Sequence, residues 1–204
     1  MKKLDLDDLP ERFIVWKLPA NRLSGRVALT VPPGLEAVLV GSKGISPPYR
    51  SGDQLVTGGR KSLFFRTGEP AESVYLCNKN GMRPLLWGMG DLPYEKKNGE
   101  KGFFGANGQI ILLMTNARAF VSSIALEGGT LDNKALEERM ETVMAGLVKP
   151  ALIDAVTLHG FEEASLRLKA LSDEAARALD PQLFEIGLGV KSFVVEELFR
   201  ADVG

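Results

Sequence analysis

Short apolar runs separated by turn residues fill the first half of the chain. The runs are rich in β-branched and aromatic side chains, and Pro, Gly and Asn interrupt them, which is the pattern of short strands. The predicted strands lie at 13–16, 27–31, 36–40, 54–57, 62–65, 73–77 and 84–87. We therefore expect a mostly antiparallel, curved sheet in this half.

Two Asn-Gly pairs predict hairpins. Asn80-Gly81 follows the run 73–77, and Asn107-Gly108 precedes the run 109–114. Such a pair favours a type I′ turn, because both central residues of that turn need a positive φ. Each pair is therefore predicted to join the apolar runs on its two sides into a hairpin.

A helical period replaces the strand pattern after Thr115. A short helix is predicted to start at 116–120, and a long one covers Asp132–Leu158, where apolar residues recur three or four positions apart. Asp132 is the predicted N-cap, Gly160 the C-terminal stop, and Pro150 a kink.

A second helix and a last strand complete the predicted elements. The helix covers Phe161–Leu179 and is expected to end near Asp180-Pro181, and the strand covers Ile186–Leu198. The fold class is therefore α+β, with an N-terminal, mostly antiparallel curved sheet packed against two C-terminal helices and a terminal strand. One domain is predicted over 12–199, between a flexible N-terminal tail at 1–11 and a C-terminal tail at 200–204.

Composition and charge narrow the function classes. The chain has 204 residues, 45% of them hydrophobic, and a net charge of −1. Such a balance offers no global attraction to nucleic acid, and none is expected as a partner. The longest apolar run, 110–114, is too short to span a bilayer, so no transmembrane segment is predicted. With one cysteine and no signal-peptide pattern, a cytoplasmic location is expected.

The side chains that usually carry catalysis are scarce. His159 is the single histidine and lies beside a predicted helix end, where an imidazole commonly caps the last carbonyls. Cys77 lies on an apolar strand and is expected to be buried and inert. The glycine loops at 41–44 and 58–62 lack the spacing of a phosphate loop. We therefore predict a protein that is not an enzyme, with no catalytic, metal-binding or cofactor-binding residues.

The last segment resembles a known family. A helix that leads through Asp180-Pro181 and a glycine-bearing turn into the strand Ile186–Leu198 is similar to the end of an SPFH (stomatin, prohibitin, flotillin; band 7) domain. More specifically, the chain resembles the soluble bacterial branch called virion-core-protein-like. The matching motifs are Ile14-Val15-Trp16-Lys17-Leu18-Pro19, Glu36-Ala37-Val38-Leu39-Val40, Val74-Tyr75-Leu76-Cys77-Asn78, Trp87-Gly88 and Phe103-Phe104-Gly105.

This resemblance implies a scaffold. Such domains assemble side by side, have no catalytic residues to carry over, and organise protein partners. A homo-oligomer is therefore expected, with peripheral contact to the inner membrane left open. The terminal strand is the candidate assembly strand, through Leu188, Val190, Phe193 and Val195.

One alternative comes from another function class. The chain is then a module that binds a small molecule or lipid in an apolar pocket between sheet and helices, with Phe103, Phe104 and Met144 in its lining. An enzyme with an atypical site is the third, least favoured reading.

Overall fold

Eleven strands and four α-helices make up the computed structural model, which describes residues 2–4, 6, 9, 12–23, 27–41, 44–57, 73–95, 99, 101–123 and 129–200. The strands are β1 Lys2–Lys3, β2 Val15–Lys17, β3 Val27–Thr30, β4 Leu35–Gly41, β5 Gly44–Ile45, β6 Gln54–Thr57, β7 Ser73–Asn78, β8 Leu85–Glu95, β9 Lys101–Met114, β10 Thr130–Leu131 and β11 Leu188–Arg200. The helices are α1 Ala117–Ser123, α2 Asn133–His159, α3 Phe161–Ser165 and α4 Leu168–Glu185.

The α+β class is confirmed. The sheets are open and mostly antiparallel, the long helices follow in the C-terminal half, and a strand ends the described chain. The chain divides into two units, the first made of 1–82 and 114–133 and the second of 83–113 and 134–204. The single domain over 12–199 stays a prediction.

The first unit is built around two central strands. β4 and β7 pair antiparallel within a five-stranded sheet of order β10-β2-β7-β4-β5. Their apolar runs are buried on both faces, as continuous hydrophobic strands require. Leu39 and Leu76 face the sheet β1-β3-β6 in one hydrophobic core, and α1 lies against β4.

Part of the segment 1–11, predicted as an N-terminal tail, lies against the sheet of the first unit. Lys2–Lys3 pair with β3, the Leu4 amide donates to the Ala28 carbonyl, and the Leu4 side chain is buried. Leu6 and Leu9 pack against the same core. The apolar side chains of this segment, which lie among charged residues in the sequence, therefore hold it to the sheet.

The second unit is a three-stranded sheet, β11-β9-β8, with the helices α2, α3 and α4. One stripe of α2 is buried from Leu136 to Val156, as the helical period predicts. The helix continues through Pro150 and is followed by Gly160, whose φ of 84° confirms the predicted stop. α4 likewise continues through Pro181 to Glu185, so the predicted end at Asp180-Pro181 is wrong.

Both predicted hairpins are wrong. β7 pairs with β2 and β4, while β8 pairs with β9, so Asn80-Gly81 joins two different sheets. The second pair, Asn107-Gly108, lies inside the continuous strand β9. The hairpin that does form joins β8 to β9 through the loop that contains Gly99, at a φ of 84°. The predicted strand 62–65 lies outside the described residues.

Candidate functional site

The sheet of the second unit ends in two long strands, β8 on one side and β11 on the other. A strand at the edge of a sheet presents unpaired backbone groups, which makes it a template for pairing with another chain unless something covers it. The two edges differ in that respect, and this difference defines the candidate assembly site.

Helix α4 covers part of the β11 edge. The Val190 amide donates to Oδ1 of Asp180 at 3.1 Å, and the Val195 amide donates to Oγ of Ser172 at 2.9 Å. Both acceptors are side chains of α4. These amides are therefore already bonded within the chain, and they are less available to a partner strand.

The four residues of the candidate assembly strand point mostly inward. The side chains of Leu188, Phe193 and Val195 are buried, and that of Val190 is half-buried. Phe193 stacks on Trp87, with ring centroids 5.1 Å apart and planes inclined by 14°. Their side chains belong to the interior of the second unit, so contacts of β11 with a partner would have to use its backbone or its outward residues.

The residues in the first half of β8 are little covered on the faces of the sheet. Leu86 is 69% exposed, and a Cβ built on Gly88 or Gly90 would meet no atom within 4 Å. The second half is irregular, since the pairing register shifts after Met89 and Asp91 has a φ of 53°. Bulges of this kind protect an edge from pairing, so the first half of β8 is the accessible part.

Exposed apolar side chains concentrate in the same unit. Of the residues that the structure describes, the large hydrophobic side chains that are exposed all belong to the ranges 83–113 and 134–204. They are Leu86, Phe103, Leu113, Leu158, Leu166, Phe184 and Phe199. The exposed large apolar side chains of the described residues therefore all lie in the second unit.

An apolar groove of about 340 Å³ lies between the β8–β9 hairpin and α2. Pro93, Tyr94 and Phe103 line it from the hairpin, and Ile153 and Thr157 line it from the helix. Of the residues predicted for such a pocket, Phe103 is in the lining. Phe104 and Met144 are buried and do not belong to it.

A second groove, of about 500 Å³, lies between α4 and β11. Its charged lining residues are Asp173, Arg177, Asp180 and Lys191, and all four are exposed. Two carboxylates and two cations therefore line this groove.

His159 lies at the end of α2, as predicted. Its Nδ1 atom is 3.3 Å from a guanidinium nitrogen of Arg167 and 3.5 Å from a carboxylate oxygen of Glu163. All three side chains lie at the surface of the helical segment, so the contacts form an exposed polar cluster. Among the described residues, no group of three or more His, Cys, Asp or Glu side chains could hold a metal ion.

Cys77 is fully buried, as predicted, and lies opposite Glu36 in the pairing of β7 with β4. Burial raises the pKa of the Cys77 thiol to about 12, and the negative charge of Glu36 contributes to the rise. A thiol with so high a pKa forms little thiolate at neutral pH, which makes it a poor nucleophile.

We expect alkaline pH to destabilise the protein through Cys77. The folded state holds the thiol proton more tightly than the unfolded state, so this stability is complete below pH 9.0 and is lost as the pH rises toward 12. Between about pH 8 and about pH 10 the loss is about 1.4 kcal/mol. Urea unfolding at both pH values measures it. Cys77→Ala is the control and should lack this part of the alkaline loss, and an equal loss in both proteins would contradict the assignment.

Among the described residues, α2 is long and apolar enough to cross a membrane by length and composition alone, and 28% of its most apolar stretch is buried. The core helix of a soluble protein can have the same length and composition, so one such helix does not define a membrane span.

No family model matches the chain, and no curated protein matches it.

Proposed function

We propose that this protein is a non-enzymatic, SPFH-like scaffold that self-associates and organises protein partners. The observation that supports the proposal best is the open first half of the β8 edge. This edge lies in the unit that also carries the exposed large apolar side chains of the described chain.

The proposed contact is the addition of one strand to another. In this mode the main-chain hydrogen bonds provide affinity, and the side chains along the edge provide register. Two copies meeting through residues 85–89 would pair by a twofold axis, since the same surface serves both partners. Leu86 would then lie next to the twofold axis, one residue from the midpoint of the contact, and its exposed side chain would lose water on both copies.

A cytoplasmic location is part of the same proposal. Cys77 is a free thiol, and free thiols are typical of reducing compartments. Peripheral contact with the inner membrane is compatible with this location, and no nucleic-acid partner is proposed.

Leu86→Lys is expected to weaken self-association. The ammonium group would have to be buried against its own symmetry mate, and edge lysines are known to prevent strand pairing. We expect the dissociation constant to rise by at least about tenfold, equivalent to about 1.4 kcal/mol. Sedimentation velocity over a concentration series up to tens of micromolar measures this change.

Thr30→Lys provides the matched control for that experiment. Thr30 is an exposed strand residue of the first unit, on β3, and the substitution adds the same charge. It should leave the dissociation constant unchanged. The scaffold proposal would be contradicted if the wild-type protein stays monomeric at tens of micromolar and no partner is recovered by pull-down.

A module that binds a small molecule or lipid is the second candidate function. The apolar groove beside Phe103 favours it, because Phe103 is 47% exposed although it is aromatic. This function does not depend on self-association, and both can hold for one chain.

A further inference from the structure

The apolar groove between the β8–β9 hairpin and α2 has a volume that limits the size of a ligand. Its volume of about 340 Å³ is at the lower end of the range for small-molecule sites. A methylene group takes up about as much space as a water molecule, about 30 Å³, so roughly ten such groups fill the groove. A short acyl chain matches this volume.

Gly102 shapes the groove from the strand side. A Cβ at this position would lie 2.8 Å from the Tyr94 ring, so the absence of a side chain lets the ring lie across β9. The ring also meets Phe104 edge-on, with centroids 6.1 Å apart. Tyr94 is thereby fixed and buried, and it offers the groove a rigid aromatic wall.

The helix side adds apolar surface. Ile153 and Thr157 are four residues apart on α2, so they lie one above the other and face the hairpin together. Phe103 closes the groove from β9 and is half exposed. A bound apolar ligand would therefore remove apolar surface of this ring from water.

Two charged groups belong to the lining, Lys101 and Glu95. Their side chains form an ion pair at 3.0 Å, and they are 68% and 59% exposed. An ion pair so exposed stabilises a protein little. The ammonium group of Lys101 can therefore exchange the carboxylate of Glu95 for the carboxylate of a ligand at small cost.

We propose that this groove binds an amphiphile with an acyl chain of about ten carbons and an anionic head, with the head on Lys101 and the chain against Phe103. The inference rests on the second candidate function and names its ligand class. Lys101 provides attraction for the head, and Glu95 competes with the ligand for it.

Calorimetric titration with decanoate, and with the neutral alcohol of equal chain length, tests the proposal. Lys101→Gln should weaken decanoate binding about fivefold, and Glu95→Gln should strengthen it by a similar factor. Neither change should alter binding of the alcohol. Phe103→Ser should weaken both ligands at least about tenfold, because both lose the same apolar contact.

Phe184→Ser is the control for that aromatic substitution. Phe184 is also exposed, but it lies on α4 and does not line the groove, so its loss should leave both affinities unchanged. Equal affinities for decanoate and the alcohol, with no effect of Lys101→Gln, would overturn the head-group assignment and leave the binding module standing. No binding of either ligand to the wild-type protein would overturn both.

Discussion

Replacing Gly108 with alanine is expected to destabilise the protein by about 3 kcal/mol or more, the upper range for overpacking a closed site. Gly108 lies inside β9, where β11 passes closely. A methyl group there would overlap the carbonyl oxygen of Val194, and it would lie 2.9 Å from the Trp87 ring. The nearest atom belongs to the backbone, so it cannot move away by a change of rotamer as a side-chain atom could.

Urea unfolding followed by far-ultraviolet circular dichroism measures this loss. Gly88→Ala is the matched control, since Gly88 lies opposite Asn107 on the neighbouring strand and a Cβ there meets nothing within 4 Å. Because there is open space at this position, we expect the free energy of unfolding of Gly88→Ala to change by no more than about 1 kcal/mol. The change is stabilising if alanine lowers the conformational entropy of the unfolded chain. Equal stabilities of the two variants would contradict the close approach of β11.

The sequence could not distinguish these uses of glycine. Asn107-Gly108 has the composition of a type I′ turn, yet Gly108 is there because another strand needs the space of its missing side chain. A tight turn and a close approach of two strands both require glycine, so the residue type alone does not show which of the two is present. Only the position of the neighbouring strand does. That partner, Val194, is more than eighty residues away, beyond any local pattern.

The helices were predictable because their apolar period is local. The stripe that contains Leu136 and Val156 predicted α2 almost to its ends. Proline was the misleading signal, because Pro150 and Pro181 are exposed and so are the residues one turn earlier, Gly146 and Arg177. The carbonyl groups that lose their intrahelical partner can bond to water there, so the helices continue.

The candidate sites were predictable only in part. Phe103 was expected in an apolar lining and lies in one, whereas Ile153 and Thr157 reach the same groove from a helix some fifty residues later. The covering of the β11 edge was missed as well. A signal existed in Ser172, a small polar residue beside Leu171 on the buried side of a helix, because a buried hydroxyl requires a partner.

Ser172→Ala is expected to cost about 1–3 kcal/mol, because it leaves a buried backbone amide without its acceptor. The hydroxyl of Ser172 accepts from the Val195 amide at 2.9 Å and donates to the Leu168 carbonyl at 2.7 Å, so it joins α4 to β11. Urea unfolding measures the loss, and amide hydrogen exchange at Val195 should rise with it.

Ser165→Ala is the matched control, since that hydroxyl also donates to the carbonyl four residues earlier, at Phe161, on the short helix α3. We expect a change within about 0.5 kcal/mol there. Asp180→Ala should fall between the two, because water can reach the exposed Val190 amide once the carboxylate is gone. If Ser172→Ala were no more costly than Ser165→Ala, the hydroxyl would not be what holds β11 to α4. The bond from the Val190 amide to Asp180 would then be the remaining side-chain contact from α4 to the β11 amides described above.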